Sequence, residues 1–230
     1  GADGSVHTPL DEASVIHAIK SAKARRAEGI IVSLLHGFRN SAHEDAAAAI
    51  IRRTAPELFV FTSAEIWPVI REYERTTTAI INGYVHPRVA DYLTKLQDAL
   101  KQSGVSTPPL ITKSNGGVMS AEIGKTSCVN MVLSGTASGV IGGAFVARAS
   151  GIKNAITLDI GGTSADVAVV INGTPQYGMG EKIGEFPLYI PSVSVTSIGD
   201  GGGSIARVDE FGVLKVGPES AGSDPGPACY

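Results

Sequence analysis

Thr157-Leu158-Asp159-Ile160-Gly161-Gly162-Thr163-Ser164-Ala165-Asp166, running on into Val167-Ala168-Val169-Val170-Ile171, is the stretch that decides the fold. An apolar strand delivers one carboxylate, Asp159, to its end. Two glycines and two hydroxyls then form a tight loop whose bare amides can approach phosphate oxygens. A Walker loop or a dinucleotide fingerprint would run into a helix, so that the helix N-terminus faces the phosphates. Here the following segment is β-branched and apolar, it ends in the hairpin-turn signal Asn172-Gly173, and no Lys follows the glycines. The pattern therefore predicts a β-hairpin phosphate clamp and not a P-loop. The plain alternative is that Gly161-Gly162 only makes the turn and Asp159 caps it.

Working outward, the glycines concentrate around this stretch. Of 28, nine precede Leu133 and nineteen lie in the last 98 residues. The first stretch reads as alternating helix and strand, whereas the second needs positive-φ turns or close backbone approaches. A boundary near residue 133 follows. Upstream of the hairpin, Leu133 to Ala144 reads as a helix opening into small residues. Its Gly135, Gly139, Gly142 and Gly143 would let another backbone come close, as in a hinge helix or a tightly packed interior helix. Downstream, Ser197-Ile198-Gly199-Asp200-Gly201-Gly202-Gly203-Ser204 is a second glycine loop leading into a strand, read either as a second loop over a ligand or as a flexible surface loop. Ser114-Asn115-Gly116-Gly117 is a third polar glycine turn at a strand end, where open α/β sheets bind ligands.

Before the boundary, Thr8-Pro9-Leu10-Asp11 looks like a helix start, with Val15, Ile16, Ile19 and Ala22 on one face and Gly29 as the stop. Ile30 to Leu35 has the apolar continuity of a buried parallel strand. Ser41-Ala42-His43-Glu44 reads as a capping box opening a helix to about Thr54, followed by a strand over Leu58 to Phe61. A long helical stretch is expected from Thr76 to Gln102, kinked or broken at Pro87 and closed by Gly104, with a further strand from Leu110 to Thr112. Strand and helix alternate as in an α/β layer with parallel strands. The charge cluster Glu72-Tyr73-Glu74-Arg75 reads as a solvated helix start.

Composition narrows the class. The chain is 43% hydrophobic and 18% charged, which suits a globular protein and argues against disorder. A formal charge of -3 implies no basic face, so nucleic acid is not an expected partner. Cys128 and Cys229 are too far apart for CxxC spacing, which excludes a disulfide scaffold and a thiolate zinc site on pattern. The five histidines show no HxH or HExxH spacing, and no Ser stands in a GxSxG elbow. The longest apolar run, Val140 to Ala147, falls far short of the ~20 residues of a membrane span, and no signal peptide opens the chain. A soluble cytoplasmic protein is expected, with no membrane partner.

Hairpins beginning Asp-x-Gly-Gly-Thr resemble those with which the actin/hexokinase/Hsp70 superfamily of ATPases holds nucleotide phosphates. In order along the chain, a longer series resembles the hydantoinase A / 5-oxoprolinase / acetone carboxylase β family. It comprises His43-Glu44, Arg71-Glu72-Tyr73-Glu74-Arg75 with Thr77-Thr78, and Asn82-Gly83-Tyr84-Val85 with Pro87. Then come Ser114-Asn115-Gly116-Gly117-Val118, Leu133-Ser134-Gly135, Asp159 to Ser164, and Gly201 to Ala206. Gly217-Pro218, Ser220-Ala221-Gly222 and Asp224 to Tyr230 complete it. The family usually has Pro where Thr136 stands, Ala where Asp200 stands, and often His where Ser197 stands. Asp200 adds a negative charge beside a phosphate loop, which weakens anion binding or lets the loop hold a metal.

The resemblance implies an α/β chain that is a fragment of an actin-like, ribonuclease H-like two-domain ATPase fold. Residues 1–132 would be the later part of the first α/β domain, 133–150 a connecting helix, and 151–230 the opening, β-rich part of the second nucleotide-binding domain. An earlier Asp-x-Gly-Gly-Thr loop and a continuation past Cys229-Tyr230 would supply the rest of the nucleotide site, so this piece alone is expected to be inactive. ATP and Mg are the implied cofactors. Asp159 would be catalytic, orienting Mg²⁺ through water. Gly161, Gly162, Thr163, Ser164, Gly201, Gly202 and Gly203 would bind phosphate, and Asp166 would pin the hairpin. The parent would phosphorylate a cyclic amide or imide to allow ring opening, with a hydantoinase B-like partner subunit or domain. A ketone carboxylase subunit and a non-catalytic assembly module of actin-like fold are the alternatives.

Overall fold

The computed structural model describes residues 1–179, 181–224 and 226–227. They group into two compact units, one of Gly1–Ile111, Val118–Val132 and Met179–Ile190, the other of Thr112–Gly117, Leu133–Gly178 and Pro191–Tyr230.

The first unit begins with α1 (Glu12–Ala24), β1 (Gly29–Val32), α2 (Ala42–Thr54), β2 (Phe59–Thr62) and the single turn α3 (Ser63–Ile66). It continues with α4 (Glu72–Gln102), β3 (Leu110–Thr112), β4 (Val118–Ser120), α5 (Ala121–Thr126) and a 3-10 turn at Cys128–Met131. Asp11, not Thr8, caps α1, accepting the Ala13 amide at 3.0 Å. The helix ends at Ala24, with Arg26 rather than Gly29 in the left-handed region, and Gly29 opens β1. β1 and β2 pair in parallel, Ile30 opposite Val60 and Ile31 opposite Phe61. β3 does not extend this pair as the alternation suggested: it joins β4 in a separate two-stranded sheet.

Both faces of the β1–β2 pair are covered. Ile19 from α1 and Ala48, Ile50 and Ile51 from α2 pack with Leu58 and Val60 on one side. Phe61, Ile66, Ala79 and Val129 pack on the other, joined by Leu188 and Ile190 from the late segment of the same unit. Burying each such Ile or Leu contributes roughly 1.5–3 kcal/mol. α4 runs unbroken through Pro87, so the chain does not break there. Asn82 and His86 brace it from the side. Asn82 accepts the Val129 amide at 3.0 Å and donates to the Thr126 carbonyl at 2.9 Å. The His86 ring stands 2.7 Å from the Lys125 carbonyl and edge-on to Phe59 and Phe61.

The second unit contains α6 (Ser134–Ala149), β5 (Ala155–Ile160), β6 (Ala165–Ile171), β7 (Thr174–Pro175) and β8 (Tyr177–Gly178). β9 (Glu181–Ile183) and β10 (Phe186–Leu188) form a hairpin that clusters with the first unit. β11 (Ser192–Val193), β12 (Thr196–Ile198), β13 (Ser204–Val208) and β14 (Leu214–Ser220) complete the chain order. The antiparallel sheet runs β12-β6-β5, with β7 folded back on β6 through Asn172 and Gly173, both at positive φ as the hairpin signal required. Ala137, Val140 and Ala144 of α6 bury against Ala168, Val170 and Val193. Asn115-Gly116 tips the turn between β3 and β4, closed by Lys113 N donating to Gly117 O at 2.8 Å. Cys229, with Pro225, Ala228 and Tyr230 of the terminal motif, lies outside the described residues.

Candidate functional site

The β5–β6 hairpin forms as its sequence requires, in register from Ala155 opposite Val170 to Ile160 opposite Ala165. Its tip is the four-residue turn Gly161 to Ser164, closed by the Gly161 amide donating to the Ser164 carbonyl at 2.9 Å. The amides of Gly162, Thr163 and Ser164 and the Thr163 and Ser164 hydroxyls make no hydrogen bond among the described residues. Nothing lies within 4 Å of where a Cβ on Gly162 would stand, and Gly162 has no positive φ. Neither packing nor backbone conformation thus requires glycine at 162, which leaves close approach by another molecule as its physical use.

Asp159 stands at the end of β5 with its carboxylate exposed and unbonded among the described residues. Gly139 of α6 passes it: a Cβ there would lie 3.9 Å from Asp159 Oδ2. One turn on, a Cβ at Gly143 would come within 2.6 Å of Thr157, so Gly143 is the helix glycine that allows the close approach to β5, while a Cβ at Gly139 would make ordinary contact. Gly135 and Gly142 face open space. Between α6 and β5 lies a cleft of about 480 Å³, bounded by Thr136, Gly139, Gly143, Leu158, Asp159 and Asp166. Asp166, opposite Asp159, accepts from Thr136 Oγ1 at 2.9 Å and from Ser197 Oγ at 2.6 Å. It thereby ties α6, β6 and β12 together.

The second glycine loop docks on the first through main chain alone. Gly202 N donates to Gly161 O at 2.9 Å and Gly203 N to Gly162 O at 2.6 Å, while Gly201 N donates to Ser204 Oγ at 2.7 Å. All three amides are therefore engaged within the protein. A Cβ at Gly201 would stand 2.7 Å from Gly161 O, and one at Gly203 would stand 2.9 Å from Gly162 O. These glycines are explained by contact between the loops. The residues with unused donors are Gly162, Thr163 and Ser164. Asp200 lies exposed on the same loop.

The first unit holds a charged network that the sequence reading did not anticipate. Glu44 does not cap α2, and Ser41 makes no capping bond, its hydroxyl donating to Asp45 at 2.7 Å. Glu44 is buried and accepts from Leu34 N, Ser63 Oγ and Ala64 N at 2.8, 2.8 and 2.9 Å. Likewise Glu72-Tyr73-Glu74-Arg75 is no solvated start: Arg75 is 0% exposed and Glu74 is buried. Arg75 donates to Ser63 Oγ, the Val69 carbonyl and the Leu34 carbonyl at 2.9, 3.1 and 2.6 Å, and stacks 5.9 Å over the Phe38 ring. Glu72 accepts the His36 amide at 3.1 Å. That bond, with a smaller contribution from the Arg75 charge, holds its carboxyl below the usual glutamate range. A Glu three residues past a Ser looks the same in sequence whether it reaches back to the cap or down into the core. Cys128 is buried, which pushes its thiol up to about 11 and makes it a structural, unreactive group.

The turn suits an oxyanion by its donors and by the space above Gly162. For a divalent cation the fit is through water: Asp159 is one exposed carboxylate, and no cluster of three His, Cys, Asp or Glu side chains stands close enough among the described residues. The family described as Hydantoinase/oxoprolinase matches residues 75–230, and its N-terminal region matches residues 1–55. The chain belongs to the hydantoinase/oxoprolinase family. Like other hydantoinase/oxoprolinase chains it has an α/β fold related to the actin/hexokinase/Hsp70 superfamily. It is 37% identical to caprolactamase subunit alpha of Pseudomonas jessenii, over 99% of this chain and 33% of that protein. The crystal structure of that ATP-dependent caprolactamase superposes with a TM-score of 0.84, again over 99% of this chain and 33% of the other. A nucleotide-free acetone carboxylase structure superposes with a TM-score of 0.83 at 32% identity, over 96% of this chain and 32% of the other. The chain thus spans about a third of the length of these relatives. No helix among the described residues is long and apolar enough to cross a membrane.

Proposed function

We propose that the parent protein is an ATP-dependent enzyme that activates a cyclic amide or imide for ring opening, and that the β5–β6 turn binds the phosphate tail of ATP. The observation that carries this reading is the turn itself, with three unused main-chain amides, a glycine unexplained by packing, and an exposed carboxylate beside it. Gly162, Thr163 and Ser164 would donate to phosphate oxygens by amide and hydroxyl, with Gly161 closing the turn. Gly201, Gly202 and Gly203 would hold the turn in shape from behind, their amides already engaged. Asp166 would pin the hairpin to α6 and β12, and Asp159 would orient Mg²⁺ through water. The metal would neutralise charge on the transferred phosphoryl group.

The chemistry is a phosphoryl transfer followed by hydrolysis. The amide oxygen attacks the terminal phosphorus, the bond from that phosphorus to ADP breaks, and the amide oxygen becomes a good leaving group. Water then adds at the activated carbon, the ring C–N bond breaks with the protonated nitrogen leaving as the amine, and a second water hydrolyses the resulting acyl phosphate to carboxylate and phosphate. The names of the caprolactamase relatives support a cyclic amide as substrate. Similarity to acetone carboxylase supports a second reading, a subunit that activates a ketone for carboxylation. Both relatives' names are consistent with ATP as the energy source. The division into a first domain to residue 132, a hinge helix over 133–150 and a second domain from 151 belongs to this proposal. So do a hydantoinase B-like partner and a cytoplasmic location.

The test is steady-state phosphate release by the intact parent with Mg·ATP and, in turn, hydantoin, 5-oxoproline, caprolactam and acetone with bicarbonate. Phosphate release coupled to ring opening of one cyclic amide is expected. Coupling only to acetone and bicarbonate would favour the carboxylase reading, and nucleotide binding without turnover would favour a non-catalytic module.

A further inference from the structure

A second cleft, of about 280 Å³, lies wholly within the first unit over the carboxyl end of β1, with Thr8, Leu34, His36, Asn40, His43 and Glu44 among its walls. Ligands of open α/β sheets bind outside the carboxyl ends of parallel strands. Charged groups hold the loop that forms this cleft from beneath. Glu44 takes the Leu34 amide, Arg75 takes the Leu34 carbonyl, and Glu72 takes the His36 amide. Ser33 Oγ and Thr76 Oγ1 add a bond of 2.5 Å. Desolvating these charges is costly, and what they fix in return is the main chain of one short loop.

Within that loop His36 has φ 59°, the left-handed region that favours Gly or Asn. The neighbouring Gly37 does not take up that conformation; it is glycine because a Cβ there would strike the Glu44 carboxylate. The His36 ring has no hydrogen-bond or ring partner among the described residues, and neither has the His43 ring beside the same cleft. The Glu72 carboxylate acts on the His36 ring through charge alone, and a side chain that carries backbone strain yet makes no hydrogen bond within its own protein points to a use outside it.

We propose that His36 and His43 form a binding site for the carboxylate of a small molecule, each imidazole donating one N–H to one carboxylate oxygen. A neutral imidazole always carries one such donor, and two donors match two oxygens. The cleft is at the small end of ligand sites and admits a compact molecule. No Lys or Arg side chain lines it, so phosphate is a poorer match. The negative charge of Glu44 is turned onto Leu34 N, Ser63 Oγ and Ala64 N, and the buried Arg75 cation, which donates to the same Ser63 hydroxyl, offsets it. This site is independent of the nucleotide reading.

The experiment is a titration of the 230-residue chain with sodium acetate, followed by ¹H–¹³C NMR of the histidine rings against sodium chloride at equal ionic strength. Saturable shifts of His36 and His43 are expected, with His17 and His86 unmoved. His36→Asn, which suits the left-handed backbone, should keep the thermal midpoint and weaken acetate binding by about tenfold or more. His43→Gln provides the second variant should the first misfold. The proposal is overturned if acetate produces no saturable shift or no more than chloride does. Phosphate binding more tightly than acetate, or a folded variant binding acetate like the parent sequence, would overturn it equally.

Discussion

Asp159 on β5 and Asp166 on β6 stand directly opposite each other, and Ser197 on β12 stands opposite Asp166 in turn. Two like charges at such a position destabilise a sheet. Asp166 is compensated by the Thr136 and Ser197 hydroxyls, whereas Asp159 has no partner among the described residues. Strain of this kind at an exposed strand end is what a ligand-facing carboxylate entails. Asp159→Asn should therefore stabilise the chain, by up to about 1 kcal/mol. Urea denaturation measures this, and a loss of stability would mean Asp159 has a structural partner.

The two glycine loops should respond oppositely to a methyl group. Gly201→Ala places Cβ 2.7 Å from main-chain atoms of the first turn and should cost about 1–3 kcal/mol. Gly162→Ala meets nothing within 4 Å and should shift stability by less than about 0.5 kcal/mol. Thermal unfolding of both variants separates them. Equal destabilisation would remove the argument that Gly162 is free for a ligand.

Arg75 is the keystone of the buried network, reaching Ser63, Val69 and Leu34 at once. Arg75→Leu leaves the Leu34 and Val69 carbonyls without their donor and removes the cation from Glu72, 3.8 Å away, and from the Ser63 hydroxyl that Glu44 shares, and should cost about 3–5 kcal/mol. The change is read from the denaturation midpoint. A loss under about 1 kcal/mol would show that the network is relaxed by water.

The Glu72 carboxyl is held below its usual range chiefly by the His36 amide. Because the folded state depresses this group, its stabilising contribution is present above the ordinary glutamate range and is lost as pH falls through the lowered folded value. Amide hydrogen exchange at His36, corrected for the intrinsic rate, should accelerate in that acidic window and stay flat above it. Uniform protection through the window would place the His36 amide on another acceptor.

Much of this was legible in the chain. The β5–β6 hairpin was readable because Asp159, Gly161-Gly162 and the β-branched run that follows allow no helix, and Asn172-Gly173 demands a tight turn. The α4 stop at Gly104 and the Gly199–Gly203 loop into β13 follow from equally local chemistry, as does the start of α1, although Asp11 and not Thr8 caps it. What escaped were features set by distant packing. Glu44 and Arg75 lie 31 positions apart and meet through Ser63, so local pattern assigned each to a surface role. Pro87 does not break α4, which continues through it with Asn82 and His86 bonded to a neighbouring segment. The mutual docking of the two glycine loops was equally invisible, since a glycine needed for a neighbouring backbone looks like one needed for a turn.

The most direct test is ATP turnover by the intact parent carrying Asp159→Ala. A fall in kcat of at least ~100-fold, with the melting temperature kept or raised, is the result expected if the hairpin presents this carboxylate to the nucleotide. Turnover equal to that of the unsubstituted parent would take Asp159, and with it the phosphate-binding turn, out of the mechanism.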